Sequence, residues 1–414
     1  MYINRAIENT ILNVSKSFQA IAIYGPRQVG KSTCIRKVFG KSFKYVSLDD
    51  TQLYQYAKTS PKEFIESYGW PLIIDEIQRV PELMNEIKIK IDQQRLEWLD
   101  NNEKRELMYV LTGSNRYELQ EGISDSLAGR CGTIYMNSFS MQEIDKRTDG
   151  AFSPIIESVF EREKHMKYKS NDKIFERIFM GGMPDIVTGE SERVAYYNAY
   201  IDTYIEKDVR KLISADNELK FMNFMSIVAL RTGQQLEYSE IANATGIDVA
   251  TCKRWISILK SSGIIILLQP YMANLSKRII KAPKLYFMDT GLCAHLCKWP
   301  SAEMIKNGAM AGAFFETFVV SEIAKSLINQ NIDINSNIYY YRDIDKKEID
   351  LLFIVGNSIY PIEIKKGKAP SSPTKNFSVL EKYNMDIKPG LVIDNCEKVW
   401  KLNDYAYLCP VSLI

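Results

Sequence analysis

The sequence predicts an α/β fold in which a parallel sheet with helices on both faces is followed by a smaller mixed α/β domain. Three observations lead to this prediction. Apolar strands alternate with helices through the first third of the 414 residues. A glycine-rich loop at residues 25–33 joins one of those strands to a helix. A second group of strands, preceded by a helix, fills the last third.

The first third contains five short apolar strands. Continuous apolar character is typical of parallel strands that are buried on both faces of their sheet. The predicted strands are residues 19–24, 43–48, 71–75, 107–111 and 133–136, and helices are predicted at 32–39 and 82–98.

The middle of the chain is predicted to be largely helical. Residues 137–170 lose the strand–helix rhythm and are interpreted as a junction, residues 181–184 form a Gly-Gly-Met-Pro turn, and 193–212 form a long helix. Residues 236–271 resemble a winged helix, with helices at 238–246 and 248–259 and a wing strand at 263–268.

The last third is interpreted as a separate mixed α/β unit. A helix is predicted at 313–327, and strands at 338–341, 349–354, 359–364 and 390–393, with a helix between the last two.

Composition excludes several function classes. With a net charge of +2 and 25% charged residues, overall charge gives no argument for nucleic acid. The seven cysteines are scattered, and the cluster of Cys293, His295 and Cys297 lacks a fourth zinc ligand. Reduced thiols, the absence of a secretory h-region and the absence of a long apolar run lead us to expect a cytoplasmic protein without membrane contact.

The loop at residues 25–33 is predicted to bind the phosphates of a nucleotide. It completes the pattern G-x-x-x-x-G-K-[ST] between a strand and a helix, so that backbone N–H groups and the helix N-terminus face the phosphate oxygens. Lys31 is expected to reach the β- and γ-phosphates, and Ser32 to place its hydroxyl on Mg²⁺. The expected nucleotide-binding residues are Gly25, Pro26, Arg27, Gln28, Val29, Gly30, Lys31, Ser32 and Thr33.

Two carboxylates at the end of the third strand indicate hydrolysis. Asp75 is expected to hold Mg²⁺ opposite Ser32, and Glu76 to polarise the attacking water. Ser114 or Asn115, after the fourth strand, is expected to approach the γ-phosphate. Arg130 or Arg116 is expected to donate charge to the transition state, from the same chain or from a neighbouring copy.

These motifs resemble the AAA+ ATPases of the archaeal-ATPase-like group. The resemblance rests on the phosphate loop, Leu48-Asp-Asp, Ile74-Asp-Glu-Ile-Gln, Leu111-Thr-Gly-Ser and Leu127-Ala-Gly-Arg, and it continues through Gly181-Gly-Met-Pro, Tyr204-Ile-Glu-Lys-Asp, Asp289-Thr-Gly-Leu and Gly312-Ala-Phe-Phe-Glu. It covers almost the whole chain and implies ATP as the ligand. In this group a domain of unknown function follows the ATPase module.

Residues in the last third resemble the PD-(D/E)XK nuclease core. Glu363 and Lys365 point the same way on one strand, and Asp350 on the adjacent strand is expected to meet them. The resemblance implies a helix glutamate, for which Glu316 fits better than Glu322. Such a group suits Mg²⁺ or Mn²⁺ acting on a phosphodiester, with Lys365 as a catalytic residue. The fold is also compatible with an inactive binding module.

The winged-helix segment suggests a DNA contact. Lys253, Arg254 and Lys260 lie on or beside its second helix, and Lys277, Arg278, Lys281 and Lys284 follow the wing. Winged helices also bind proteins, so a protein partner stays open.

The expected organisation has four parts. They are an AAA+ P-loop ATPase domain at 1–150, a helical linker or lid at 151–215, a winged helix at 216–285 and a PD-(D/E)XK nuclease-like domain at 286–414. Two functions remain possible: a Mg²⁺-dependent ATPase that controls a DNA-directed C-terminal half, or a slow nucleotide switch with an inactive nuclease fold. An oligomer is possible.

Overall fold

The computed structural model describes residues 2–114, 116–205, 209–210, 213, 217–272, 282–367 and 372–414, with the backbone alone for 116–118, 120 and 121. Within these ranges, no helix combines the length and the apolar character needed to cross a bilayer.

The first 150 residues are built on a sheet of five parallel strands in the order β2-β3-β4-β1-β5. The strands are Ala20–Tyr24 (β1), Lys44–Ser47 (β2), Leu72–Asp75 (β3), Tyr109–Gly113 (β4) and Cys131–Tyr135 (β5). The helices are Glu8–Ser15 (α1), Lys31–Phe39 (α2), Thr51–Thr59 (α3), Pro61–Tyr68 (α4), Leu83–Asp100 (α5) and Arg116–Ser126 (α6). The predicted α/β sheet is confirmed.

The sheet is covered on both faces. Ile21 and Ile23 of β1 belong to one buried apolar cluster, whereas Ala20 and Ala22 belong to another. Because side chains alternate along a strand, each face has its own core. This burial explains the continuous apolar strands in the sequence.

The middle of the chain is helical, as predicted, but the predicted junction at 137–170 contains two helices. These are Met141–Ile144 (α7), which begins with a capping box, and Ile156–Glu163 (α8). They are followed by Asn171–Met180 (α9), Pro184–Val187 (α10) and Arg193–Tyr204 (α11). The helix predicted for 193–212 is described up to Tyr204, because most of the residues after 205 lie outside the described ranges.

The next unit has the order helix–strand–helix–helix–strand–strand. Its elements are Glu218–Leu230 (α12), Gln234–Gln235 (β6), Tyr238–Thr245 (α13), Val249–Ser261 (α14), Ile265–Leu268 (β7) and Lys284–Phe287 (β8). The three strands form an antiparallel sheet with β8 in the middle.

The last part is a mixed sheet in the order β14-β15-β13-β11-β10-β9, with β12 beside β11. Its strands are Ile338–Arg342 (β9), Glu348–Val355 (β10), Ser358–Ile364 (β11), Asp386–Ile387 (β12), Gly390–Asp394 (β13), Trp400–Asn403 (β14) and Ala406–Pro410 (β15). The helices before it are Thr290–Leu296 (α15), Ala302–Asn307 (α16), Ala311–Asn329 (α17) and Ile334–Asn337 (α18).

For this part of the chain, one sequence prediction was wrong and three strands were missed. The helix expected between the last two predicted strands is, among the described residues, a 3₁₀ segment at Phe377–Lys382. Strands β12, β14 and β15 were not predicted. β12 has only two residues and β14 exposes Trp400 and Lys401, which weakens the apolar signal on which strand prediction depends.

Candidate functional site

The loop between β1 and α2 lies at the carboxyl edge of the parallel sheet. A Cβ on Gly25 would collide with the backbone carbonyl of Met136, so this position requires glycine. Helix α2 begins at Lys31, directly after Gly30. The free N–H groups of its first turn therefore face the space above the loop, where an anion is favoured.

The Lys31 side chain folds over this loop. Its ammonium donates hydrogen bonds to the carbonyl oxygens of Gly25 at 2.9 Å and Pro26 at 2.8 Å, and the residue is only 7% exposed. A buried ammonium held by two neutral carbonyls gains more from an anionic oxygen.

The carboxylate of Asp75 accepts hydrogen bonds from three hydroxyl groups. Ser32 donates to its Oδ2 at 2.9 Å, Tyr45 donates to the same oxygen at 2.7 Å, and Thr112 donates to Oδ1. Burial and Asp75 together raise the pKa of Tyr45, so its phenol stays a donor. Tyr45 and Thr112 were missed from the sequence. The signal for Thr112 was its place at the end of β4, next to β3 in the sheet.

The pairing of Ser32 with Asp75 fits a magnesium site. A hydroxyl and a carboxylate side by side supply the oxygen ligands that Mg²⁺ prefers, and the ion normally completes its shell with water and phosphate oxygens.

Glu76 follows β3 in a left-handed conformation with a φ of 57°. Its Oε2 accepts a hydrogen bond from Nε2 of Gln78 and lies 3.5 Å from the hydroxyl of Ser114. The same Gln78 nitrogen lies 3.4 Å from the Ser114 hydroxyl. Ser114, one of the two expected polar residues, thus lies beside Glu76, and Gln78 joins them without having been predicted. Asn115 and the side chain of Arg116 lie outside the described residues.

Arg130 does not reach this edge in its own chain, and its predicted role within one subunit was wrong. It precedes β5, and its carbonyl accepts a hydrogen bond from the N–H of Ala20 at the start of β1. At about 3.3 Å per residue, the strands hold it roughly 15 Å from the loop. Its guanidinium forms two hydrogen bonds with Asp92, at 2.6 and 2.9 Å. This contact lowers the pKa of Asp92.

Arg5, which sequence analysis did not single out, supports the loop through a hydrogen bond to Val29. Arg5 is 5% exposed and donates to the carbonyl of Val29 at 2.8 Å, to that of Asn137 at 2.7 Å and to Glu143 Oε1 at 2.8 Å. Burial raises the pKa of Glu143, but Arg5 and the backbone N–H groups of Ser140 and Ala6 together outweigh it, and the net pKa is below its ordinary value. Since Val29 belongs to the loop, Arg5 fixes the loop to the segment after β5.

The Gly181-Gly-Met-Pro turn connects the loop with the end of β8. The Cγ of Pro184 lies 3.8 Å from the place where a Cβ on Gly30 would stand. The N–H of Gly182 donates to Oδ2 of Asp289 at 2.8 Å, and Tyr197 donates to the other oxygen at 2.9 Å. The carbonyl of Gly182 in turn accepts from the N–H of Phe139 at 2.8 Å. The turn thus joins three parts of the chain: the loop at the carboxyl edge of the parallel sheet, the helical part and the unit that contains β8.

A second group of charges lies on the C-terminal sheet. The ammonium of Lys365 lies 2.7 Å from Glu363 Oε2 and 3.2 Å from Asp350 Oδ2, and the N–H of Ile364 donates to the same Asp350 oxygen at 2.8 Å. Burial, and secondarily the charge of Asp350, raise the pKa of Glu363 to about 8. The structure brings these three predicted residues together.

Glu316 is held in a different arrangement from the one expected. Its Oε1 accepts hydrogen bonds from Lys284 at 3.0 Å and from Tyr286 at 2.6 Å. Burial raises its pKa. Glu322, the alternative, contacts the N–H of Met141 and Lys325 instead. No group of three or more His, Cys, Asp or Glu residues within the described ranges is arranged to hold a metal ion, so the predicted metal set of Glu316, Asp350 and Glu363 does not form here.

Helix α14 presents a basic face. Lys253, Arg254 and Lys260 are exposed, at the spacing that places them on one side of the helix. Lys277, Arg278 and Lys281 lie outside the described residues. Lys284 is 3% exposed and ion-paired, so its expected role as a surface phosphate contact was wrong.

Three family models match successive parts of the chain. The model described as an AAA domain matches residues 17–145. Two models described as domains of unknown function match residues 171–303 (DUF8612) and 311–414 (DUF4143). Together with the loop and the parallel sheet, the first match identifies an ATPase-like P-loop module of the AAA type in residues 17–145.

The full-length comparisons give distant relatives. The uncharacterized proteins Rv2008c of Mycobacterium tuberculosis and Mb2031c of Mycobacterium bovis are each 25% identical over 397 residues, which is 95% of this chain and 80% of theirs. Among solved structures, the Walker-type ATPase PABY2304 of Pyrococcus abyssi has a TM-score of 0.42 at 13% identity, covering 72% of this chain and 96% of that one. The ORC2 protein of Aeropyrum pernix has a TM-score of 0.36 at 10% identity, covering 77% and 93%.

Proposed function

We propose that this chain binds and hydrolyses ATP at the carboxyl edge of its parallel sheet, and that the nucleotide state controls its C-terminal half. One observation carries the proposal: Ser32 of the loop is hydrogen-bonded to Asp75 at 2.9 Å, with Glu76 the next residue. Three groups thereby meet at one edge of the sheet. They are the loop that would bind phosphate, the oxygens of Ser32 and Asp75 that would bind a cation, and the carboxylate of Glu76 that would bind water.

Each of these residues has a distinct role. Lys31 exchanges its two loop carbonyls for phosphate oxygens when the nucleotide enters. Mg²⁺ held by Ser32 and Asp75 would neutralise charge on the phosphates. Glu76 orients the attacking water and accepts its proton, and Gln78 and Ser114 position the Glu76 carboxylate. Arg5 holds the loop in shape from the opposite side.

Replacement of Lys31 tests nucleotide binding. Lys31→Ala removes two charge-assisted hydrogen bonds worth roughly 1.5–3 kcal/mol each, so the affinity for ATP should fall by about 100-fold or more. Titration of a fluorescent ATP analogue measures it. Lys41→Ala, an exposed lysine just after α2, is the matched control and should bind like the wild type. Equal affinity in Lys31→Ala and the wild type would contradict the proposal.

A second function is favoured by the C-terminal charges. The contacts of Lys365 with Asp350 and Glu363, together with the basic face of α14, support a half that binds DNA through a winged helix and cleaves it at a PD-(D/E)XK-like site. Lys365 is suited to hold or orient a water molecule between the two carboxylates. A protein partner for α14 and an inactive nuclease fold are the alternative.

DNA binding and cleavage are tested separately. Lys253→Ala combined with Arg254→Ala should weaken binding of a labelled duplex about tenfold or more at low salt, because two phosphate contacts are lost. Lys220→Ala, an exposed lysine on α12, is the control. Cleavage is assayed on plasmid with Mg²⁺ or Mn²⁺, comparing the wild type with Asp350→Asn. Binding without any cleavage that depends on Asp350 would favour the nucleotide switch.

A further inference from the structure

We infer that Lys284 is an internal cation that closes the C-terminal acidic cluster, and that nucleotide binding opens the cluster by moving β8. This inference rests on the proposed function, because it names how the nucleotide site would regulate the second site.

Lys284 is held among carboxylates deep in the protein. Its ammonium lies 3.0 Å from Glu316 Oε1 and 2.5 Å from Glu348 Oε1, and its side chain is 4% exposed. Tyr286, two residues further along β8, donates to the same Glu316 oxygen at 2.6 Å. An ammonium surrounded in this way takes the place that a bound cation would need.

The other carboxylate oxygens of the cluster contact two partly exposed cations. Arg342 lies 3.2 Å from Glu348 Oε2, and Lys365 contacts Asp350 and Glu363. A divalent cation entering beside Glu316 would meet Lys284 at short range, where like charges repel strongly inside a protein. As it stands, Glu316 Oε1 is taken up by Lys284 and Tyr286, and both groups compete with a cation for that oxygen.

The opposite end of the same strand is connected to the nucleotide loop. Asp289 follows β8 by two residues and accepts the N–H of Gly182 at 2.8 Å. Pro184, two residues after Gly182, lies against Gly30 of the loop. A strand of four residues is a rigid element about 13 Å long. A shift of the Gly182–Pro184 turn by a bound nucleotide is therefore carried by Asp289 along β8 to Lys284.

Binding of Mn²⁺ alone tests the closed state without ATP or DNA. The full chain, free of nucleotide, is titrated with Mn²⁺ and the free ion is followed by its EPR signal. Lys284→Met should bind Mn²⁺ about tenfold or more tightly than the wild type, because a positive charge is removed from the cluster. Lys284→Met combined with Glu316→Gln should lose the gain. No gain in Lys284→Met, or a gain that survives Glu316→Gln, would overturn the inference.

If the Lys284→Met protein folds poorly, thermal unfolding provides a second measurement. Mn²⁺ should then raise its thermal unfolding midpoint, while leaving those of the wild type and the double variant unchanged. An equal shift in all three proteins would overturn the inference.

Hydrogen exchange tests the coupling. In Glu76→Gln, backbone exchange of residues 284–288 should rise when ATP and Mg²⁺ are added, and it should not rise in Lys31→Ala. If ATP binds and exchange at 284–288 stays the same, the link through β8 is wrong. If ATP does not bind, the proposed function fails, while the Mn²⁺ titration still decides whether Lys284 closes the cluster.

Discussion

A single buried guanidinium, that of Arg5, joins three parts of the chain that are distant in sequence. It contacts the loop at Val29, the segment after β5 at Asn137 and the capping box of α7 at Glu143. Nothing in the sequence marks Arg5, because one arginine near the N-terminus has no motif around it. The loop was predictable because it completes a short motif between a strand and a helix, and Asp75 and Glu76 because they follow an apolar strand. Supporting residues such as Arg5, Tyr45 and Gln78 depend on packing.

Loss of Arg5 should affect both stability and nucleotide binding. Arg5→Ala leaves the buried Glu143 without its counter-charge, which costs about 3–5 kcal/mol, and it frees the Val29 carbonyl. The expected result is a lower unfolding midpoint and a higher KM for ATP with a smaller change in kcat. Arg5→Met combined with Glu143→Gln should recover part of the stability, because no unpaired charge remains. Full stability in Arg5→Ala would refute the role.

The Arg5–Glu143 pair also predicts a pH dependence. The folded pKa of Glu143 lies below its ordinary value of 4.5, so the folded state binds fewer protons there than the unfolded state. Its stabilising contribution is therefore present above about pH 4.5 and is lost as the pH falls through the folded pKa. In urea unfolding at pH 7 and pH 4, Glu143→Gln should lose less stability on acidification than the wild type. Parallel losses would contradict this assignment.

At the scale of elements, the parallel strands were the most predictable part. Their apolar runs are set by burial on both faces, whereas the hairpin β14–β15 has an exposed strand that carries no such run. The sequence also misled us about the position of Arg130. Its neighbours Leu127-Ala-Gly resemble a motif, but only the paired strands reveal that it lies at the amino edge, opposite the loop.

The turn at Gly182 is expected to tolerate little change. An added Cβ would collide with the carbonyl of Phe139, a backbone atom that cannot move aside without shifting the segment after β5. Gly182→Ala should therefore destabilise the protein by about 2 kcal/mol or more, as measured by chemical denaturation. Gly189→Ala, where no atom lies within 4 Å of the added Cβ although φ is positive, is a control for backbone strain alone. A smaller effect at Gly182 than at Gly189 would argue against the close contact.

At the scale of the whole molecule, α17 holds the parts together. Thr10 donates to the carbonyl of Asn329 at 2.7 Å, Glu322 accepts from the N–H of Met141, and Ser326 accepts from the N–H of Phe152 at 3.0 Å. Thr317, on the same helix, lies 2.8 Å from Thr232 of the unit that contains β8. Because α17 is buried among all of these units, the loop at residues 25–33 and the C-terminal charges around Lys365 belong to one packed structure.

The position of Arg130 makes a prediction about assembly. Because Arg130 is far from its own loop, Arg130→Ala should leave kcat for ATP within about twofold in a monomer, given that an arginine acting on the transition state is worth 10³-fold or more. The variant and the wild type are compared after their mass in solution has been measured with and without ATP. A large loss of kcat that accompanies an ATP-dependent oligomer would show that Arg130 acts on a neighbouring subunit.

The proposed hydrolysis depends most on Glu76, which would activate the attacking water. Replacement by Gln keeps its shape and its hydrogen-bonding partners but removes the base, so kcat should fall about 100-fold or more while ATP binding stays near that of the wild type. The most direct measurement is ATP hydrolysis and ATP affinity of Glu76→Gln beside the wild type in Mg²⁺. Retained ATP with lost turnover is the predicted result. Unchanged hydrolysis in Glu76→Gln, or a wild type that does not hydrolyse ATP, would contradict the account.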